Sequence, residues 1–126
     1  MRHNAVLEKS YAYALAAVRL YRRVQARKEF VLSRQLARSA TSVGANVEEA
    51  IAAQSRRDFV SKMSIARKEA RESRYWLRLM YDADIASREE TGPLLTEADE
   101  LIRMLTAIIL STEANVFDSD GRDSSA

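Results

Sequence analysis

Apolar residues recur at spacings of three and four along most of the chain, and no stretch alternates with period two, so the pattern predicts helices and no sheet. The first helix is expected over roughly residues 4–28, with Leu7, Tyr11, Ala14, Val18 and Tyr21 as its core stripe. A second stripe, Tyr13, Ala17, Leu20 and Val24, runs beside it. Together they make an apolar arc wider than one bundle core requires. The excess predicts a second burial partner, placing Tyr13, Leu20 and Val24 at a subunit interface.

Ser33 is the expected N-cap of helix two, at about residues 34–54, with a core stripe of Leu36, Ala40, Val43, Val47 and Ile51. Ser55 followed by Asp58 resembles a capping box with Asp in place of Glu or Gln, and it opens helix three at about residue 56. The core stripe there is Phe59, Met63, Ala66, Ala70, Leu77 and Tyr81, and the helix is expected to end near Asp84. Ser87 and Glu90 match a capping box, but Gly92 and Pro93 follow so closely that a short turn is expected instead. Helix four then runs from about Pro93 to Glu113 on Leu94, Ala98, Leu101, Leu105, Ile108 and Ile109, with the proline in its first turn. The Asp- and Ser-rich residues 118–126 are expected as a disordered tail on a single domain at 1–117. Short connections make successive helices antiparallel, so the expected fold is an all-α, up-down-up-down four-helix bundle.

Composition narrows the chemistry. The chain of 126 residues has no cysteine, which removes disulfides, thiol catalysis and cysteine-held metals. Its one histidine, His3, lies near the N-terminus, so no helical histidine can serve a serine nucleophile or complete a carboxylate-bridged di-metal site. Glu48, Glu49, Glu69 and Glu72 therefore lack the nitrogen ligands that such a centre wants. Lys62 and Lys68 are flanked by charge rather than by an apolar pocket that would make either a base. No enzyme activity, metal or cofactor is expected. The longest apolar run, Ala107 to Leu110, is too short to span a bilayer, so the expectation is a cytoplasmic protein without a membrane partner.

Charge is distributed unevenly. Residues 1–38 hold nine Arg or Lys against two Asp or Glu, while residues 79–126 hold three against eleven. Such a gradient suits either a polyanionic ligand or a basic face meeting an acidic one on another copy. Arg67, Arg71, Arg74 and Arg78 recur at spacings of four, three and four and line one side of helix three. Helix one adds Arg19, Arg22, Arg23 and Arg27. Guanidinium groups stay charged and donate in a fixed fork that suits phosphate, making these eight arginines the candidate contacts to RNA or DNA. Ile65, Trp76 and Leu79 form a second apolar patch on helix three, rimmed by Asp58, Lys62, Glu69 and Glu72, and are candidates for a subunit interface. Gln35, Ser39, Ser42, Asn46, Glu49 and Ala53 share one side of helix two, and the expected role of this stripe is a close helix contact satisfied by internal hydrogen bonds. Gly44 in the same helix costs about 1 kcal/mol relative to alanine unless another backbone comes close.

The stretches RQLARSATSVGANVEEA and RRDFVSKMSIARKEARESRYWLRLM carry Gln35, Arg38, Ser42, Asn46, Glu49, Arg57, Phe59, Ala66, Glu69 and Glu72, and this pattern resembles the 23S rRNA-intervening sequence protein family over about residues 10–112. The resemblance implies a small bacterial antiparallel bundle. It also implies a homopentamer, similar in fold to the accessory variability protein of diversity-generating retroelements, which binds nucleic acid and a reverse transcriptase. Within this pattern Gln35, Arg38, Ser42, Asn46 and Glu49 are read as structural. Two positions depart from it: Ala50 stands where glycine is usual after Asn-x-x-Glu, and Gly44 where proline often precedes Ala45. Two functions are weighed: a non-catalytic homo-oligomer binding nucleic acid through phosphates, and a protein-interaction scaffold whose charge asymmetry serves subunit assembly.

Overall fold

The computed structural model describes residues 3–125, with side chains through residue 114. Helix α4 continues to Ser125, past the end expected at Glu113 and through most of the tail expected over residues 118–126, where side chains are not described. The chain forms α1 (Asn4–Ala26), α2 (Val31–Ile51), α3 (Arg56–Asp82) and α4 (Arg88–Ser125), with no strand among the described residues. Each helix packs on the next in sequence, and α4 closes the ring against α1 through the sparsest of the four interfaces. The registers are antiparallel: Lys9 of α1 meets Glu100 of α4 while Arg27 meets Glu90, and on α3 Arg67 meets Thr106 while Arg74 meets Asp99. Helices α1 and α3 thus occupy diagonal corners, as do α2 and α4.

Two connections end in residues forced into the left-handed region, Lys28 (φ 67°) and Asp84 (φ 61°). After α1, the Lys28 N–H donates to the Gln25 carbonyl and the Glu29 N–H to that of Val24; after α3, Asp84 donates to Tyr81 and Ile85 to Met80. These are Schellman endings with lysine and aspartate where glycine is usual. The start of α2 differs from expectation. Ser33 is not its cap; the Glu29 carboxylate accepts from the Leu32 and Ser33 N–H groups at 3.0 and 3.1 Å, and the Ser33 hydroxyl turns inward to the Glu29 carbonyl. An acid placed at a helix N-terminus satisfies the unpaired donors as a serine would and also meets the positive end of the helix dipole.

The expected turn before Pro93 is likewise absent, because Ser87 and Glu90 form a complete reciprocal box that starts α4 at Arg88. Pro93 then removes one hydrogen bond from the carbonyl of Glu89, an exposed residue in the first turn where water can replace the donor. At α3, Ser55 accepts from the Asp58 N–H at 3.0 Å, as expected.

The core joins Val6, Tyr13, Ala17, Leu20 and Val24 of α1 to Leu36, Val43 and Val47 of α2, Met63, Leu77 and Met80 of α3, and Leu94, Leu101, Leu105 and Ile109 of α4, with alanines between the larger side chains. Tyr13, Leu20 and Val24 are therefore interior residues of one chain, not interface residues. The two apolar stripes of α1 were interchangeable by pattern; the inward one is that whose tyrosine hydroxyl finds a buried partner. Tyr13 reaches across the diagonal to Ser73 Oγ at 2.6 Å, and Ser73 donates onward to the Ala70 carbonyl. Tyr11 of the other stripe is 64% exposed, and Ile51 and Tyr81, expected in the core, are also exposed. Gly44 does meet another backbone: a Cβ there would sit 3.4 Å from the Ser10 carbonyl oxygen, so the small residue sets the close approach of α1 to α2.

The Tyr13–Ser73 bond gives a direct stability test. Ser73→Ala strands a buried phenol hydroxyl and should cost more than Tyr13→Phe, about 2 against about 1 kcal/mol in denaturant unfolding, and the double variant should cost less than the sum. Burial pushes the Tyr13 hydroxyl from 10.0 up to about 12 despite the Ser73 bond. The folded state keeps a proton that the unfolded state releases, so this contribution is complete below pH 10 and is lost as pH rises toward 12. Tyr13→Phe should flatten that alkaline loss.

Candidate functional site

Several of the acids counted in the C-terminal third pair with the chain's own helices. Glu90 takes Arg27 at 2.6 and 3.0 Å and Arg23 at 3.4 Å, while also accepting from the Ser87 N–H. Lys9 binds Glu100 at 2.8 Å with Glu97 at 4.0 Å, and Arg74 donates to Asp99 at 2.6 Å. Arg67 contacts the Thr106 hydroxyl at 3.4 Å. The arginine stripes therefore divide. Arg23, Arg27, Arg67 and Arg74 tie α4 to its neighbours. Arg19, Arg22, Arg71 and Arg78 are exposed with no polar partner among the described residues, and Arg34 on α2 joins them.

Arg103 of α4 is exposed and unpaired as well, but the five arginines just named lie toward one end. Residues 19–38 and 71–92 build the end that carries the α1–α2 and α3–α4 connections, and they hold eleven basic against six acidic residues. The structure does not merge the two stripes into one surface, since Arg19 and Arg22 lie on α1 and Arg71 and Arg78 on α3, at diagonal corners of the ring. One chain presents two separate cationic ridges.

The family-like pattern converges on the seam between α2 and α3. Arg38 donates to the nearly buried Glu69 at 3.0 Å and also to Glu72, with Gln35 Oε1 accepting from its Nε at 3.2 Å. The indole N–H of Trp76 donates to the same Glu72 carboxylate at 3.1 Å. Asn46 and Ser39 bond to carbonyls of their own helix, at Ser42 and Gln35. Arg38 thus makes an interhelical contact: a buried carboxylate needs a permanent cation, and arginine on the facing helix provides it. Glu49, three turns further along α2, is exposed. Trp76 is half-buried against the core margin, Leu79 is half-buried, and Ile65 is exposed.

A second apolar surface, missed by the sequence reading, lies between α1 and α2, where Leu7, Tyr11 and Ile51 line a shallow groove of about 490 Å3 rimmed by Glu8 and Glu48. Its signal was present in the α1 stripe of Leu7 and Tyr11, which the spacing had assigned to the core. A cleft of about 660 Å3 lies where α1 begins and α2 meets α3, between His3, Ile51, Arg56, Phe59 and Ile108. The His3 ring packs 5.2 Å from Phe59, and its Nδ1 has no partner among the described residues. No group of three or more potential metal ligands converges among the described residues, and none of their helices is long and apolar enough to cross a membrane.

Comparison with known proteins follows the same lines. The pattern of the 23S rRNA-intervening sequence proteins matches residues 2–107. The fold is similar to the crystal structure of a protein of unknown function from the S23 ribosomal protein family of Bacteroides thetaiotaomicron VPI-5482, at 44% identity and a TM-score of 0.79, covering 82% of this chain and 97% of that one. No curated protein matches.

The Glu90 cluster predicts acid sensitivity. Bonds from Arg27 and the Ser87 N–H hold its carboxyl well down, from 4.5 to about 2. The folded state releases a proton that the unfolded state keeps, so the stabilisation is full above pH 4.5 and is lost as pH falls toward 2. Glu90→Gln should lower the thermal midpoint at neutral pH and flatten its decline between those two values; a parallel decline in both proteins would contradict the assignment.

Proposed function

We propose, starting from the fact that the chain belongs to the 23S rRNA-intervening sequence protein family, that it is a non-catalytic homo-oligomer, a pentamer, whose arginines hold nucleic acid by its phosphates. The observation that carries this reading is a group of exposed arginines that the fold leaves without acidic partners, among them Arg19, Arg22, Arg34, Arg71 and Arg78. An exposed guanidinium with no internal partner keeps its full capacity to displace the counterions of a phosphate backbone. The family's name concerns 23S rRNA, which makes RNA the polyanion to test first.

Assembly has support of its own. The Tyr11, Leu15 and Ile51 surface on α1 and α2 and the Ile65, Trp76 and Leu79 surface on α3 are different patches on different corners. Two unlike patches suit head-to-tail contacts that close into a ring, whereas a two-fold dimer uses one patch twice. Tyr11, Leu15 and Ile51 take the interface role first assigned to Tyr13, Leu20 and Val24. A ring also repeats each cationic ridge, so individually weak phosphate contacts add through avidity. The scaffold reading draws less support, because Glu90, Glu97, Asp99 and Glu100 already pair within the chain.

Two measurements test the proposal. Light scattering should give about five times the chain mass of 14.2 kDa. Fluorescence anisotropy with mixed-sequence RNA should show affinity falling linearly on a log–log plot against salt. Arg71→Glu with Arg78→Glu, or Arg19→Glu with Arg22→Glu, should weaken binding about tenfold or more with unchanged helical circular dichroism. No RNA binding at low salt, or affinity indifferent to both reversals, would refute the nucleic-acid reading.

A further inference from the structure

On the outward side of α3 the unpaired cations are interleaved with an exposed aromatic ring. Tyr75 is 52% exposed, and its hydroxyl has no partner among the described residues. Arg71 lies four residues before it and Arg78 three after, the spacings that make helix neighbours, with Lys68 one further turn back; all three cations are exposed. The ring is braced from behind. Trp76 meets it edge-on at 5.0 Å between centroids and 71° between planes, and Trp76 is itself held by its indole bond to Glu72. Glu72 in turn is fixed by Arg38. A chain of contacts from α2 thus steadies a half-exposed aromatic side chain.

We infer that Lys68, Arg71, Tyr75 and Arg78 form a binding ridge for single-stranded nucleic acid, with a base stacked on Tyr75 and the flanking phosphates on the cations. This rests on the nucleic-acid reading above and specifies its ligand. Phosphate contacts alone do not distinguish strand state. A braced aromatic face does, because bases within a duplex are already stacked on one another, whereas an unpaired base offers a free face to the ring. The arginines supply the backbone attraction, and the tyrosine supplies the preference for unpaired strands. The ridge lies beside the Ile65, Trp76 and Leu79 patch, so a base on Tyr75 would sit close to the chain's only tryptophan.

The test uses the full chain with a short mixed-sequence RNA and its blunt duplex at low salt. The single strand should bind more tightly than the duplex. Tyr75→Ala should weaken single-strand binding about tenfold and duplex binding less than twofold, while Tyr75→Phe, which keeps the stacking face, should stay within twofold of the parent. Trp76 fluorescence should be quenched by the single strand in the parent and not in Tyr75→Ala. Equal affinity for both RNAs, or a Tyr75→Ala variant that binds like the parent, would overturn this inference and leave phosphate binding standing. A parent that binds neither RNA would remove both. A changed oligomer mass in Tyr75→Ala would overturn the inference by assigning Tyr75 to a subunit contact.

Discussion

The corner between α1 and α4 is where this bundle has least packing, and it is closed by charge. Glu90 gathers Arg27, Arg23 and the start of its own helix into one cluster, while Lys9 meets Glu100 further along the same corner. An acid that caps α4 also ties that helix to the end of α1, so helix initiation and ring closure are one event. Exposed ion pairs are individually weak, but this carboxylate takes several donors in fixed geometry. The same closure decides which arginines remain outside. Arg23, Arg27 and Arg74, opposite α4's acids, become internal ties, whereas Arg19, Arg22, Arg71 and Arg78 on the same two helices stay exposed and unpaired among the described residues.

Fold and tie thus come from one distribution of residues. The acid-rich C-terminal third looked like a surface for another copy, and it proves in part to be the complement of the chain's own basic helices. Arg38 follows the same logic on the α2–α3 seam, where it neutralises Glu69 and Glu72 and, through Glu72, orients Trp76. The fold leaves over Arg19, Arg22, Arg34, Arg71 and Arg78 toward one end, Arg103 on α4, and exposed apolar side chains on two corners.

Much of the architecture was legible because its signals are local. The helix count, three of the four core stripes in large part and the cap at Ser55 follow from spacing and one hydroxyl. The rest depended on tertiary facts that spacing does not carry. Both stripes of α1 are apolar, and tertiary partners such as the distant Ser73, which bonds the Tyr13 hydroxyl, distinguish the buried Tyr13 from the exposed Tyr11. Pro93 suggested a late start for α4, but the reciprocal Ser87–Glu90 box outweighs one lost hydrogen bond at an exposed carbonyl. Glu29 was hidden as a cap because it lies two residues before α2 and acts through a longer side chain. The arginine spacing was read correctly, but its division into tied and untied members required the positions of Glu90 and Asp99 on another helix.

The central claim is that the arginines left untied by the fold are the surface that works. Photo-crosslinking of 4-thiouridine RNA to the intact assembly, followed by peptide mass spectrometry, tests it without altering the protein. The account predicts crosslinks within the middle of α3 and the second half of α1, beside Arg71, Arg78, Arg19 and Arg22. Crosslinks confined to the α2–α3 connection or to α4, with those two segments unmarked, would contradict it.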